Sequence, residues 1–316
     1  MAIGESDPDA GTTPDAGTGT TRLRSTIDQI KRDTTARFGL YLIAAVTVVA
    51  SFTWVDYLVF DYAIAETIWY HPERDPQVVE PVLPPAFIDG GTWAHPLGTD
   101  HRGRDLLVRL IYGTRISISV GFLSTVIGLT GGVVIGALAG YYGGLVDDVL
   151  MRIVETVYSI PFLVLVIAFM AAFGRDLTYA LVGVGIAFIP VFARLIRSRV
   201  LSVREANYVE AARAAGVKDR DIIRRHVVPN SFTPVLVQAT LQIGISILIV
   251  AGLSFLGYGA QPPTPDWGQM LSQARGYMLP QPWFSIWPGI AILITVMGFN
   301  LFGDGLQDAL DPNIND

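Results

Sequence analysis

The sequence predicts an all-α membrane protein with six transmembrane helices, and two observations carry this prediction. Of the 316 residues, 51% are hydrophobic and only 16% are charged, with a mean hydropathy of +0.45. This composition is too apolar for an ordinary water-soluble domain. Six stretches also contain no Asp, Glu, Lys or Arg: 38–55, 116–146, 156–174, 177–193, 226–265 and 276–303. About 20 apolar helical residues cross a hydrocarbon core of roughly 30 Å, so each stretch provides one span.

Helices are expected rather than a closed barrel, because the apolar runs are continuous. A backbone in lipid must satisfy its own hydrogen bonds, which leaves only these two architectures. Barrel strands alternate between lipid-facing and lumen-facing residues, and these runs do not alternate. A water-soluble protein with buried helices is excluded, since six such runs would leave no polar face for water.

The predicted organisation has four segments. Residues 1–35 form an acidic cytoplasmic tail, expected to be disordered because it has few large apolar side chains. The first transmembrane helix occupies residues 36–60 and, with no cleavable signal before it, remains as an anchor. Residues 61–115 form a proline-rich extracytoplasmic loop that ends in a short amphipathic helix at 104–112. Residues 116–316 form a five-helix core that contains a long inner loop at 204–229.

Both termini are predicted to lie in the cytoplasm. With the N-terminus inside, the inner segments hold fifteen Lys and Arg residues and the outer segments hold seven. Short loops rich in these cations tend to stay cytoplasmic. The cluster from Arg102 to Arg115 opposes this prediction, because it falls on the outer side. The six tryptophans lie at or beyond the outer ends of the spans, as interfacial indoles do: Trp54, Trp69, Trp93, Trp267, Trp283 and Trp287.

The second span carries a glycine at every fourth position, which places these residues on one helical face. In lipid, such a face lets another helix approach closely, so the span is expected in the packed centre of the bundle. A role in flexing is the alternative interpretation. The predicted packing residues are Gly128, Gly132, Gly136, Gly140 and Gly144.

The inner loop contains the sequence YVEAARAAGVKDRDIIRRHVVP at 208–229, which predicts two short helices joined at Gly216. Its alanines favour the first helix, and Asp219 can cap the second. Ile222 and Ile223 contribute to an apolar edge beside several arginines. An elbow of this kind at a membrane surface is suited to docking into another protein.

These residues resemble the EAA loop of importer-type ABC transporter permeases. The resemblance rests on Glu210, Ala211 and Ala212, then Gly216 four residues on, and then Ile222, His226 and Pro229. Further motifs resemble the dipeptide/oligopeptide/nickel permease family, specifically its second permease subunit. They are HPLGTD at 95–100, GRD at 103–105, GYYGG at 140–144, LSFLG at 253–257, QPPTP at 261–265 and GDGL at 303–306. The match runs from about residue 38 to residue 316.

The resemblance implies an importer-type ABC permease fold in the cell membrane, with cytoplasmic coupling helices. The implied partners are a homologous permease subunit that completes a heterodimer, two cytoplasmic ATPase subunits, an extracytoplasmic solute-binding protein and the lipid bilayer, with no nucleic acid. The implied cargo is dipeptides or oligopeptides, with nickel or oligosaccharides as alternatives. The residues implied to couple this chain to the ATPase are Glu210, Ala211, Ala212, Gly216, Asp219, Ile222, Ile223, His226 and Pro229.

No cofactor is expected in this chain, and ATP and Mg²⁺ are expected on the partner subunits. A phosphate-binding loop ends in GK[ST] at a helix N-terminus, and neither Lys31 nor Lys218, the two lysines, lies in such a loop. Metal-ligand spacing and a nucleophile–base arrangement are also absent from the sequence. We therefore expect a transporter subunit and not an enzyme. An ATP-independent channel or secondary transporter would predict an intramembrane charge relay, which the charge-free stretches lack.

Three polar residues of the fifth span, Gln238, Gln242 and Ser246, follow one another at intervals of four and stack on one helical face. They either line the solute path or hydrogen-bond to neighbouring helices. Asn300, four residues before Asp304 in the last span, is a further candidate for the path, with capping of the helix end as the alternative.

Overall fold

The computed structural model describes residues 28–75 and 82–310, and this part of the chain is built from helices and contains no β-strand. The helices, in chain order, are α1 (Thr34–Phe60), α2 (Ala63–Ile68), α3 (Leu106–Tyr142), α4 (Gly144–Ser159), α5 (Phe162–Phe173), α6 (Leu177–Val203), α7 (Asn207–Ala214), α8 (Asp219–Ile222, continued by a π-helical turn at Ile223–Val227 and by Val228–Ser231), α9 (Thr233–Phe255), α10 (Trp267–Ala274) and α11 (Trp283–Leu310). Five of these, α1, α3, α6, α9 and α11, are long and apolar enough to cross a membrane. The predicted all-helical membrane fold is confirmed.

The third predicted span, at 156–174, is broken rather than straight. Helices α4 and α5 meet at an angle of 92°. The break falls at Pro161, and Ile160 before it is extended, with φ −79° and ψ 130°, as the residue before a proline prefers. Twelve residues make α5 about 18 Å long, which is short of a hydrocarbon core. The two helices together therefore count as one span at most.

Two predicted segment boundaries are wrong, one at the helix expected at 104–112 and one at the end of the N-terminal tail. The helix expected at 104–112 is not separate, because Asp105 caps α3 by accepting from the Val108 N–H at 2.8 Å and the helix then continues to Tyr142. The predicted tail 1–35 overlaps α1, which begins at Thr34 after Asp33 caps it, and residues 28–32 are already helical. The rest of that tail, residues 1–27, lies outside the described residues.

Helices α3 and α6 form the centre of the bundle and touch along the glycine face. A Cβ atom added at Gly128, Gly132, Gly136 or Gly140 would lie within 3 Å of an atom of α6. At Gly136 it would lie 2.2 Å from the carbonyl oxygen of Ala193. Gly144 does not belong to this face, because it begins α4 with φ +51° and a Cβ there would meet nothing within 4 Å.

The two ends of the bundle differ in character, and we name them by their connections. The loop end comprises residues 61–75, 82–105 and 256–282 together with the adjoining ends of the long helices, and it contains α2 and α10. The elbow end comprises residues 204–232, and it contains α7 and α8. Helix α10 packs against α9 and α11, and α11 in turn packs against α1.

Candidate functional site

The elbow at 204–232 consists of two short helices that turn at Gly216, as predicted. Helix α7 ends at Ala214, and Gly216 has φ +76°, a conformation that glycine adopts without strain. The turn is closed by hydrogen bonds from the Gly216 N–H to the Arg213 carbonyl at 3.0 Å and from the Val217 N–H to the Ala212 carbonyl at 3.1 Å.

The apolar edge of the elbow faces the bundle, which corrects the expectation that this edge docks into another protein. Val209, Ile222 and Val227 have no exposed surface and belong to the same apolar cluster as residues of α3 and α6. Ile223 and Ala212 are partly buried against this cluster. Burying these side chains inside the chain stabilises the elbow on its own bundle.

The outward surface of the elbow is mainly polar and charged. Of the residues implied to couple to the ATPase, His226 is partly buried, and five are exposed: Glu210, Ala211, Gly216, Asp219 and Pro229. Arg224 and Arg225 are exposed on the same segment. A partner that docks here meets mainly charged side chains, together with Tyr208 and Val217, and not the buried apolar edge.

Asp219 does not cap α8 with its side chain, contrary to the prediction. Lys218 occupies the N-cap position, and the Asp219 Oδ1 atom instead accepts a hydrogen bond of 2.7 Å from the Tyr141 hydroxyl, near the end of α3. Arg204 Nη1 donates to the Gly140 carbonyl at 2.9 Å. The motif at 140–144 contains Tyr141, but no sequence pattern indicated its contact with Asp219, which lies 78 positions further along the chain.

A polar cavity of about 680 Å³ opens at the elbow end, between α6, the elbow, α9 and α11. Its walls carry one cationic side chain, Arg199, and the amide side chains of Asn230, Gln238 and Gln307. A cavity with these groups can exchange hydrogen bonds with the amides and carboxylates of a small polar solute.

The predicted pathway residues separate into two groups. Gln238 lines the cavity and donates through Nε2 to the Gln242 Oε1 atom at 3.2 Å. Gln242 and Ser246 are buried, and the Ser246 hydroxyl lies 3.2 Å from the Thr125 hydroxyl of α3. Deeper in the bundle, Ser246 therefore links α9 to α3 and does not line the cavity.

Asn300 and Asp304 do not cap a helix end, because α11 continues to Leu310. Both side chains are exposed. Neither residue lines the cavity at the elbow end, although the Asn300 Oδ1 atom lies 3.4 Å from the position of a Cβ at Gly244 in α9.

Of the four arginines that opposed the predicted orientation, Arg102 is exposed and the other three are buried at the loop end. Arg104, Arg109 and Arg115 are each at most 2% exposed. Arg104 Nε lies 2.8 Å and Arg109 Nε 3.5 Å from the Asp100 carboxylate, and the Arg115 guanidinium lies 3.9 Å from the centre of the Tyr57 ring. These charges are partnered inside the fold, so they do not count as loop cations that report membrane orientation.

Asp56 joins three helices at the same end of the molecule. Its side chain in α1 has no exposed surface and accepts from the backbone N–H groups of Ile64 at 3.0 Å and Ala65 at 3.2 Å in α2. The Tyr112 hydroxyl of α3 donates to the same carboxylate. A buried carboxylate with three donors fixes α1, α2 and α3 relative to one another.

A second buried pair lies where α3 begins. The His95 Nδ1 atom is 2.8 Å from the Asp105 carboxylate, and both side chains are nearly inaccessible. Burial raises the pKa of the Asp105 carboxyl, against the opposing effect of its bonds to the Val108 N–H and to His95. Within the described residues, no group of three or more His, Asp or Glu side chains is placed to hold a metal ion.

Spanning helices around a glycine-packed pair, with a charged elbow and a polar cavity at one end, define a helical membrane transport subunit. The chain belongs to the family described as the binding-protein-dependent transport system inner membrane component, whose model matches residues 132–316. The family predicted from the motifs is thereby confirmed.

Known proteins extend this similarity over nearly the whole chain. The chain is 38% identical over 308 residues to the dipeptide transport system permease protein DppC of Alkalihalophilus pseudofirmus. This alignment covers 98% of this chain and 95% of that protein. It is 45% identical over 226 residues to the glutathione transport system permease protein GsiD of Pectobacterium atrosepticum, in an alignment that covers 72% of this chain and 75% of that protein. Among solved structures, the MetNI methionine ABC transporter in an inward-facing conformation shares the fold, with a TM-score of 0.54, 21% identity and coverage of 65% of this chain and 98% of the other.

This chain is therefore the permease subunit of a binding-protein-dependent ABC importer and a multi-pass membrane protein. Membership of the family also implies ATPase and substrate-binding partners.

Proposed function

We propose that this chain forms one half of a membrane pore that imports dipeptides and oligopeptides. A homologous permease subunit supplies the other half, and ATP is hydrolysed on separate cytoplasmic subunits rather than on this chain. We propose this cargo because almost the full chain is similar to a dipeptide permease. Similarity to permeases named for D,D-dipeptides in Escherichia coli and for glutathione points to the same chemistry, since all of these solutes contain peptide-like amides and carboxylates.

The elbow is proposed as the contact with the ATPase. Its residues Glu210, Ala211, Gly216 and Asp219 are exposed, and Asn230 of the same segment lines the polar cavity. Closure of the ATPase subunits on ATP can shift the permease between two states only through contacts that differ between those states. An exposed, bent segment that is packed onto α3 and α6 is suited to this role.

We place the elbow end and both termini in the cytoplasm. The exposed cations of the elbow, among them Arg220, Arg224 and Arg225, favour this side. The burial of Arg104, Arg109 and Arg115 supports the same orientation, because it removes much of the opposing charge at the loop end.

The polar cavity is proposed as the route by which the solute leaves. Its amide side chains, including Gln238, can bind a peptide main chain through hydrogen bonds that exchange readily with water. Weak binding of this kind is what release into the cytoplasm requires.

Transport by the purified complex tests the cargo. The permease pair, the ATPase subunits and the binding protein are reconstituted in proteoliposomes, and ATP-dependent uptake of dialanine, glutathione, Ni²⁺ and maltotriose is compared. We expect uptake of dialanine or glutathione and not of the metal ion or the sugar. ATP-independent uptake, or a complex that contains no ATPase subunit, would contradict the proposal.

The substitution Gly216→Val tests the elbow. A Cβ at Gly216 meets nothing within 4 Å, so the substitution causes no clash. It destabilises the fold through the backbone instead, because a branched residue at a φ of +76° costs about 1–2 kcal/mol. We expect the complex to assemble but to hydrolyse ATP without transport. Gly252→Val is the matched control, because its Cβ also meets nothing within 4 Å and its φ lies outside the left-handed region. Normal uptake by Gly216→Val would count against the elbow as the coupling element.

A further inference from the structure

Tyr141 contacts both limbs of the elbow from a single position near the end of α3. Its side chain is only 5% exposed. The hydroxyl donates to the Asp219 Oδ1 atom of α8 at 2.7 Å. From α7, Arg213 Nη2 approaches the same hydroxyl at 3.5 Å, and its guanidinium carbon lies 5.6 Å from the centre of the ring.

The bend at Gly216 lies between these two contacts, so Tyr141 holds the limbs on either side of it. The bond from Arg204 to the Gly140 carbonyl holds the chain where it enters the elbow, and not the limbs themselves. In the described part of the chain, no other side chain of α3 forms a hydrogen bond with α7 or α8. The orientation of the bend relative to α3 therefore depends on Tyr141 together with apolar packing.

Helix α3 connects this contact to the rest of the bundle. Gly140, the residue before Tyr141, lies against Val200 of α6, and Gly136, more than one turn earlier, lies against Ala193, with no room at either position for even a methyl group. Closely packed helices move together rather than deform independently. A displacement of the elbow that moves Tyr141 therefore moves α6 as well as α3.

We propose that Tyr141 is a positioning residue for transport. Its contacts with Asp219 and Arg213 fix both limbs of the elbow against α3, so that displacement of the elbow by the ATPase moves the pore helices. This inference rests on the proposed coupling role of the elbow. Removing only the hydroxyl would preserve the buried ring but release Asp219, and the bend at Gly216 would then turn without moving α3.

A distance measurement tests the positioning directly and requires neither solute nor nucleotide. The chain contains no cysteine, so spin labels attach only at Leu138→Cys in α3 and Val217→Cys in the elbow, within a complex whose partner subunits are also cysteine-free. Both sites are exposed. We expect one narrow distance distribution for the wild type and a clearly broader one for Tyr141→Phe.

Tyr142→Phe is the matched control for this measurement. Tyr142 is the neighbouring residue, its side chain is 51% exposed, and its ring lies 5.3 Å from that of Tyr141. We expect its distance distribution to equal that of the wild type. The proposal is overturned if Tyr141→Phe leaves the distribution unchanged, or if both variants broaden it equally.

Transport per ATP hydrolysed tests the consequence, with radiolabelled dialanine as the probe. We expect Tyr141→Phe to lower this ratio about 3- to 10-fold, with the same amount of ATPase bound to the complex. Asp219→Asn keeps an oxygen acceptor and is expected to retain most of the coupling.

Failure of this inference is distinguishable from failure of the proposed function. If Gly216→Val uncouples transport while Tyr141→Phe behaves as the wild type, the role of Tyr141 is overturned and the elbow remains the coupling element. If the wild-type complex transports without an ATPase at the elbow, the proposed function is overturned, and Tyr141 cannot act in coupling whatever the distance distributions show.

Discussion

The loop end and the elbow end of this permease hold their charged residues in opposite ways. At the loop end, Asp56, Arg104 and Arg115 are buried, and each contacts groups from other segments. At the elbow end, Asp219 and Arg213 are exposed, and they meet the bundle at one tyrosine. A buried charge that loses its partners costs several kcal/mol, whereas an exposed one is quickly rehydrated.

This difference indicates what each end can do. The network at the loop end resists rearrangement, because every movement would leave polar groups unpaired away from water. At the elbow end, the exposed charged side chains can exchange partners at a small cost in free energy, while the apolar edge stays packed on the bundle. One end of the molecule is therefore fixed and the other is adjustable.

The largest expected effect is at the fixed end, in the variant Asp56→Ala. Removing the carboxylate leaves two backbone N–H groups and the Tyr112 hydroxyl without their acceptor, at a cost of roughly 3 kcal/mol. We expect a clearly lower thermal unfolding midpoint of the complex in detergent. Arg74→Ala is the control at the same end, because its pair with Glu66 is exposed and contributes less than about 1 kcal/mol. Equal effects of the two variants would remove the distinction between buried and exposed charges.

A smaller effect is expected between the two ends, at the contact of α3 with α6. In Gly136→Ala the new methyl group would lie 2.2 Å from the backbone oxygen of Ala193, so the helices must separate, at a net cost of about 2 kcal/mol. Gly131→Ala is the matched control, because its methyl group meets the flexible end of Ile189 at 2.9 Å. There the gain in helix propensity, about 1 kcal/mol, offsets the crowding. Thermal unfolding of both variants decides whether the glycine face is a structural contact.

The smallest effect concerns pH at the loop end. Burial lowers the pKa of His101, and Arg104 and Arg102 act in the same direction, against Asp100. The unfolded chain therefore binds a proton first as the pH falls through about 6.5, so stability declines below that pH and levels off once the folded protein is protonated too.

His101→Phe tests this dependence, because it keeps an aromatic ring beside Phe284 and Tyr277 but cannot titrate. Between pH 7.5 and 5.5, we expect its unfolding midpoint to fall about 2 °C less than that of the wild type. An identical pH dependence in the two proteins would show that His101 remains uncharged or well hydrated throughout.

The sequence was informative where the physical signal is local. The charge-free stretches located α1, α3, α6, α9 and α11, because the cost of placing a charge in lipid depends on each residue by itself. The same stretches predicted a straight span at 156–174, since an apolar run with Pro161 inside it contains no charge to mark the bend. Gly216 was predicted as a turn from the short helical patterns on either side of it, and its φ of +76° confirms the turn.

Partnerships across the chain were not predictable in this way. Tyr141 and Asp219 are 78 positions apart, and Asp56 and Tyr112 are 56 apart, so no spacing rule relates them. The apolar edge at Ile222 was recognised as an edge, but an amphipathic pattern does not specify whether its own bundle or another protein covers it.

By itself, the sequence determined that this protein lies in a membrane as helices, that one helix carries a face of small residues, and that an elbow bends at a glycine. These properties follow from hydropathy and periodicity, which neighbouring residues establish together. Only the tertiary structure decided which arginines are buried, which way the elbow faces, and which of the polar residues on α9 meet the cavity. Each of these depends on side chains brought together from distant positions, where burial and partners, rather than residue type, set the free energy.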